Sequence, residues 1–139
     1  MGWFNKVLVP LDGSKQSYKA LDSAINLAQM SGAEITAFHS IPHIDLGGPR
    51  TKHLEEQIVS QGNNILKKAV TYANKKKIKV KTKIVRGSPA FTTVKFAKSG
   101  NFDHIVMSTT GTGSANGEMF GSVSNYVLHK SKIPVYLIK

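Results

Sequence analysis

The sequence contains no cysteine, which excludes disulfides and thiolate metal centres. Acidic residues are scarce: 8 Asp and Glu stand against 19 Lys and Arg, a net charge of +11. With so few acids, paired catalytic carboxylates have no support. No apolar run approaches the ~20 residues of a membrane-spanning helix. The opening "MGWFNKVLVPLDGS" has neither the basic stretch nor the cleavable apolar block of a secretory signal, and position six is Lys6, not the hydroxyl residue of a myristoylation signal. These absences predict a cytoplasmic chain with no membrane partner. There is no Gly-Lys dipeptide, hence no Walker A loop, and no G-x-S-x-G nucleophile elbow.

What is present is ordinary globular material. At 139 residues, 40% hydrophobic and 19% charged, the chain is predicted to be one domain over residues 1–139 with a real core. The basic charge favours anionic partners and steers them in from a distance. Nucleotide, nucleic acid and anionic lipid all qualify, and a merely well-solvated surface accounts for the same balance. The densest basic stretch is "NKKKIKVKTK", Asn74 to Lys83, with only Tyr72 nearby to stack a base. Single-strand platforms combine charge with several aromatics, so a helix end followed by a protected edge strand is the better reading, and a nucleic-acid partner is not expected. Of the five histidines, His39 and His43 are four apart, but Pro42 and a strand pattern exclude a shared helix face. His39, His43, His53, His104 and His129 show no metal-binding pattern and read as surface or satisfied core residues.

Along the chain, strand and helix patterns alternate. "KVLVPL" from Lys6 reads as a buried strand, and Ser14 as the N-cap of a helix over about Lys15 to Ser31 with Tyr18, Leu21, Ile25 and Ala28 inward. Glu34 to Ile41 is a second strand. After the loop Pro42 to Arg50, a long helix covers about Thr51 to Lys75. Lys77 to Val85 alternates as a third strand, and Ser88-Pro89 starts a helix to about Lys98. Phe102 to Ser108 is a fourth strand, Ser122 to Ser131 a helix, and Ile133 to Lys139 a fifth strand. Regular βα alternation predicts an α/β fold: a doubly wound, five-stranded parallel sheet with helices on both faces. Lys79, Lys81 and Lys83 mark the third strand as one edge, and Pro134 marks the fifth as the other. Strand order 3-2-1-4-5 follows. The first and fourth strands then meet at the topological switch point, where open α/β sheets bind ligands outside the strands' carboxyl ends.

Two segments fall there: Pro10 to Ser14, and Ser108 to Ser122, "STTGTGSANGEMFGS". The second fails the dinucleotide fingerprint, since Asn116 stands where the third glycine belongs and the run follows the fourth strand, not the first. It nevertheless holds the elements of an anion site. Gly111 and Gly113 permit close backbone approach, and Gly121-Ser122 opens a helix whose N-terminus carries partial positive charge. Thr110, Ser122 and Ser124 add hydroxyls, while Glu118 counts against an anion. On these grounds alone a phosphate cradle and a plain loop both stay open. Asp12 is similarly double: a carboxylate for ribose or a phosphate-bound metal, or an Asx-turn acid before a helix.

Over nearly its full length the chain resembles the universal stress protein family. "KVLVPLDGSKQSYKALDSAINLA" is similar to the family's first strand and helix, with Asp12 at its acidic position. "AFHSIP" is similar to the end of its second strand, and "VRGSPAFTTVKFAK" to its strand–Gly–x–Pro–helix unit. Nucleotide-binding members carry G-x2-G-x9-G-[ST] after the fourth strand; here the run is Ser108-x2-Gly111-x9-Gly121-Ser122. "GSVSNYVLHKSKIPVYLI" resembles the family's last helix and strand.

The resemblance implies a Rossmann-like, HUP-type fold and an ATP site at the switch point. Asp12 would contact ribose or a Mg²⁺ on the phosphates, with Pro10 and Leu11 lining the pocket. Ser40 would offer backbone atoms to the adenine edge, and Met107 and Ser108 would pack near base and ribose. Gly111, Gly121, Ser122, Val123 and Ser124 would cradle phosphates. The fifth strand, Ile133 to Ile138, would be a homodimer edge. A metal held by Asp12 would polarise the phosphates, which admits slow hydrolysis, but no general base is evident beside the expected γ-phosphate. The implied role is a nucleotide-dependent stress sensor or regulator; an ATP-free interaction module is the alternative. Ser108 departs from the motif's first glycine. If that position needs a left-handed backbone, serine costs about 1 kcal/mol; if it needs only closeness to ribose, serine fits.

Overall fold

The computed structural model describes residues 4–110 and 121–139. Five parallel strands alternate with four helices: β1 (Lys6–Pro10), α1 (Lys15–Ser31), β2 (Glu34–Ile41), α2 (Gly48–Lys75), β3 (Val80–Arg86), α3 (Pro89–Ser99), β4 (His104–Ser108), α4 (Ser122–Lys130) and β5 (Val135–Ile138). The sheet order is β3-β2-β1-β4-β5, as the edge signals predicted. β1 lies between β2, with Leu8 beside Thr36, and β4, with Leu8 beside Ile105.

Strand alternation divides the interior in two. Val7 and Val9 of β1, Ile35 and Ala37 of β2 and Val106 of β4 point to one face, where Ala20, Leu21, Ala24 and Ile25 of α1 and Leu66, Ala69 and Ala73 of α2 cover them. Leu8, Phe38, Ile105 and Met107 point to the other, against Ala97 of α3 and Val127 of α4. β1 and β4, almost wholly buried, are thereby fixed as the sheet's centre. Helix starts and stops follow from local chemistry. Ser14 Oγ accepts from Ser17 N–H at 3.1 Å, and Gly32 ends α1 in the left-handed region at φ 78°.

Boundaries differ where a turn takes residues that the pattern assigned to a strand or loop. α2 begins at Gly48, not Thr51, because Pro49 fits a first turn, where a missing N–H is harmless. β3 begins at Val80, not Lys77: Lys77 adopts φ 61° and the Ile78 N–H returns to the Ala73 carbonyl to close α2. Likewise Asn101, at φ 57°, and the Phe102 N–H, bonded to Ala97 O at 3.0 Å, finish α3 before β4 starts at His104. Pro134 precedes β5, yet its carbonyl accepts from Ile105 N–H at 3.0 Å.

Candidate functional site

The carboxyl ends of β1 and β4 are neighbours, and the sheet's connections leave in opposite directions there. β1 runs on to α1 on one face; β4 runs on to α4 on the other. Leu11 extends the β1–β2 ladder by one bond, its N–H donating to Phe38 O at 2.7 Å. The chain then turns at Asp12 and Gly13. Asp12 Oδ1 accepts from Ser14 N–H at 2.8 Å, an Asx turn that leads into α1. Gly13 is required: its φ is +87°, and a Cβ there would lie 3.0 Å from Ile65 Cδ1 of α2. The negative charge of Asp12 reaches Tyr18 on α1, whose phenol is pushed above its ordinary range first by burial and then by Asp12. Tyr18 Oη donates to Ile65 O at 2.9 Å, which locks α1 to α2 beneath the turn.

On the β4 side, Met107 and Ser108 are buried at the strand's end. Ser108 is not among the positive-φ residues, and it pairs with Ile138 of β5 as ordinary strand. A serine in place of the motif's glycine therefore carries no left-handed strain. Its hydroxyl donates to Thr110 O at 2.5 Å and sets the direction in which the chain leaves the sheet. Gly111 lies outside the described residues. The chain is tied back at Thr109, whose carbonyl accepts from Gly121 N–H at 2.7 Å and from Ser124 Oγ at 2.6 Å. Ser124 is 2% exposed, so its hydroxyl braces the start of α4 from within. Ser122 is exposed and Val123 half-buried in the same first turn. The four N-terminal N–H groups of a helix have no intrahelical acceptor, and His129 and Lys130 in the last turn complement the dipole at the far end.

Pro10, Leu11, Asp12, Met107, Ser108, Gly121, Ser122, Val123 and Ser124 thus converge on the ends of two adjacent strands. Ser40 stands at the end of β2, on the far side of β1, and Ser40 Oγ and Thr92 Oγ1 of α3 share a hydrogen 2.5 Å apart. Sequence reasoning passed over three contributors. Thr92 and Thr109 gave no signal, being hydroxyl residues in unremarkable positions. His39 did give one: it continues the inward series Ile35, Ala37 in a buried strand, and its ring meets Leu11 O at 2.7 Å. Among the described residues no cluster of three metal-ligating side chains is present.

The universal stress protein family model matches residues 4–139, and the chain belongs to that family. It is similar to a universal stress protein of Methanocaldococcus jannaschii, 32% identical over 98% of this chain and 82% of that one. Among solved structures it is similar to universal stress protein UspA from Lactobacillus plantarum, 25% identical with a TM-score of 0.88 over the whole of both chains. Two further structural neighbours share the fold and hold nucleotides. One is a universal stress protein in complex with cAMP (TM-score 0.79, 24% identical, covering 99% of each chain). The other, from Archaeoglobus fulgidus, is in complex with dAMP (TM-score 0.70, 21% identical, covering 99% of this chain and 100% of that one). Among the described residues no helix is long and apolar enough to cross a membrane.

Proposed function

We propose that the chain, acting as one domain, binds ATP with Mg²⁺ at the switch point between β1 and β4 and serves in the cytoplasm as a nucleotide-dependent stress sensor or regulator. The observation that carries this reading is that β1 and β4 are neighbours, so the Asp12 turn after β1 and the first turn of α4 after β4 leave the same end of the sheet. Asp12 supplies an acceptor for ribose or for a phosphate-bound cation, and the N–H groups of Ser122 and Val123 supply donors for phosphate oxygens. Pro10, Leu11 and Met107 give apolar contact, and the Ser40 peptide addresses the base. Adenine-nucleotide complexes of structural neighbours support the ligand class. β5 is an edge strand whose four residues are all half-exposed, which supports a homodimer paired through Ile133 to Ile138. Any hydrolysis is slow, since the site has a place for a metal but no evident base.

Calorimetric titration with ATP and Mg²⁺ tests this. The wild type takes up one equivalent, and Gly121→Leu, which sets a side chain at the mouth of α4, loses at least about tenfold in affinity with its urea midpoint retained. Equal affinity in the variant contradicts the site. The absence of any binding by the wild type leaves the ATP-free interaction module as the function, a reading consistent with Ser108 directing its hydroxyl inward at Thr110.

A further inference from the structure

We propose that His39 is a positioning residue that holds open the base-recognition edge of this site; the inference rests on the nucleotide reading above. β1 and β2 pair with Pro10 beside Phe38, and the Leu11 N–H continues the ladder to the Phe38 carbonyl. In a parallel strand the N–H and C=O of one residue point to the same neighbour, and those of the next residue to the other. Phe38 therefore addresses β1, His39 addresses β3, and Ser40 addresses β1 again. A regular ladder would next join the Ser40 N–H to the Leu11 carbonyl. That carbonyl instead takes the His39 ring, with Nδ1 2.7 Å away. A carbonyl can only accept, so Nδ1 carries the hydrogen. The imidazole closes the ladder in place of a peptide, and the Ser40 N–H and C=O are left directed into the gap where β1 has turned off toward Asp12.

A donor and an acceptor on one residue suit adenine, which offers its N6 amino donor next to a ring-nitrogen acceptor. Guanine sets O6 where adenine has N6 and would bring two acceptors together. The same device fixes Ser40 from the other face of the sheet, where its hydroxyl shares a hydrogen with Thr92 Oγ1. The ring's place depends on α2. A Cβ at Gly62 would come within 2.9 Å of His39 Cδ2 and 3.3 Å of Ile84 Cδ1, so helix, ring and strand meet only because residue 62 has no side chain. His39 and Gly62, 23 positions apart, are thus one unit.

Amide hydrogen exchange of the full chain by NMR, without nucleotide, reads the role directly. In the wild type the Ser40 amide exchanges fast while those of Phe38 and Leu11 are protected. In His39→Leu the Leu11 carbonyl is released to Ser40, whose exchange slows about fivefold or more. His39→Asn, whose side-chain amide reaches the same carbonyl, keeps it fast. Gly62→Ala displaces the ring without removing it and slows Ser40 as His39→Leu does, which keeps the test alive if His39→Leu fails to fold. With nucleotide, the preference for ATP over GTP falls about fivefold in His39→Leu and is retained in His39→Asn. A Ser40 amide already protected in the wild type, no change in His39→Leu and Gly62→Ala, or an unchanged ATP preference despite a slowed Ser40 would each overturn the proposal. If the wild type binds no nucleotide, the reading of the site fails, and the exchange of Ser40 alone decides the role of His39.

Discussion

The two ends of the sheet carry an aspartate each, and the two do opposite things. At the amino end, Asp103 precedes β4 and gathers β1 onto it: one carboxylate oxygen accepts from the N–H groups of Asn5 and Lys6, at 3.0 and 2.9 Å, and the other meets His104 Nδ1 at 2.7 Å. Lys6 Nζ donates to Gly100 O at 2.6 Å and lies over the Phe102 ring, so the same end is sealed by a second bridge. At the carboxyl end the strands part. Leu11 is caught by a side chain, Ser108 bonds forward to Thr110, and Asp12 accepts from the turn that follows it. One end is built to hold strands together and the other to present groups at a gap. The contacts that join strands and the groups that face a gap are thus separated along the strand direction, and the gap lies at the end where open α/β sheets bind ligands.

Exchanging each aspartate for alanine separates the two ends most strongly. Asp103→Ala leaves two backbone N–H groups and an imidazole without their carboxylate acceptor and lowers unfolding stability by about 2–3 kcal/mol. This reads as a lower urea midpoint at constant slope, with nucleotide affinity of the folded protein unchanged. Asp12→Ala does the converse: stability moves by no more than about 1 kcal/mol, on the scale of a turn hydrogen bond, while ATP affinity falls at least about tenfold. Similar stability losses in both variants would break the distinction.

A smaller effect lies at neither end. Asp22 on α1 accepts from Tyr72 Oη of α2 at 2.5 Å and from Nζ of Lys76, which caps α2, at 2.6 Å. The Lys76 hydrogen bond, followed by that of Tyr72, holds its carboxyl below the usual carboxylate range. A depressed folded-state pKa contributes stability above the unfolded value, near 4, that is lost as pH falls through the lower folded value. The group is more than a third exposed, so solvent screening keeps the contribution small. The urea midpoint of the wild type therefore drops slightly more between pH 5 and pH 3 than that of Asp22→Asn; parallel curves would show that the bridge contributes nothing.

Most of the fold was legible because period and punctuation agree. Ser14, Gly32 and Ser88 cap helices as their chemistry dictates, and buried β-branched runs alternate with amphipathic stretches. The strand order was also legible, although one of its two signals was weaker than it looked. Pro134 lies just before β5, while Pro10 ends the central strand β1, so proline marked a strand terminus in both cases and an edge in only one. The lysines of β3 were the sound signal, since Lys81 and Lys83 are exposed on a true edge. The candidate site was read as two segments, Pro10 to Ser14 and Ser108 to Ser122, whose described parts leave the same end of the sheet, but its mechanism of assembly was not legible. The bond from His39 to Leu11 spans 28 positions and depends on Gly62, and no local pattern encodes a ring standing in for a peptide. The second helix was likewise read as a span, Thr51 to Lys75, in which nothing singled out Gly62, whose value is the side chain it lacks.

In the proposed function, nucleotide binds at the carboxyl ends of β1 and β4. Titration of the isotopically labelled protein with ATP and Mg²⁺, followed by backbone amide shifts, tests it most directly. Saturable shifts cluster at residues 10–14, at Ser40, at 107–111 and at 121–124, while the amino-end network around Asp103 and the lysine strand β3, with Lys81 and Lys83, stay undisturbed. Shifts centred on the lysine strand, or none at saturating nucleotide, would contradict it.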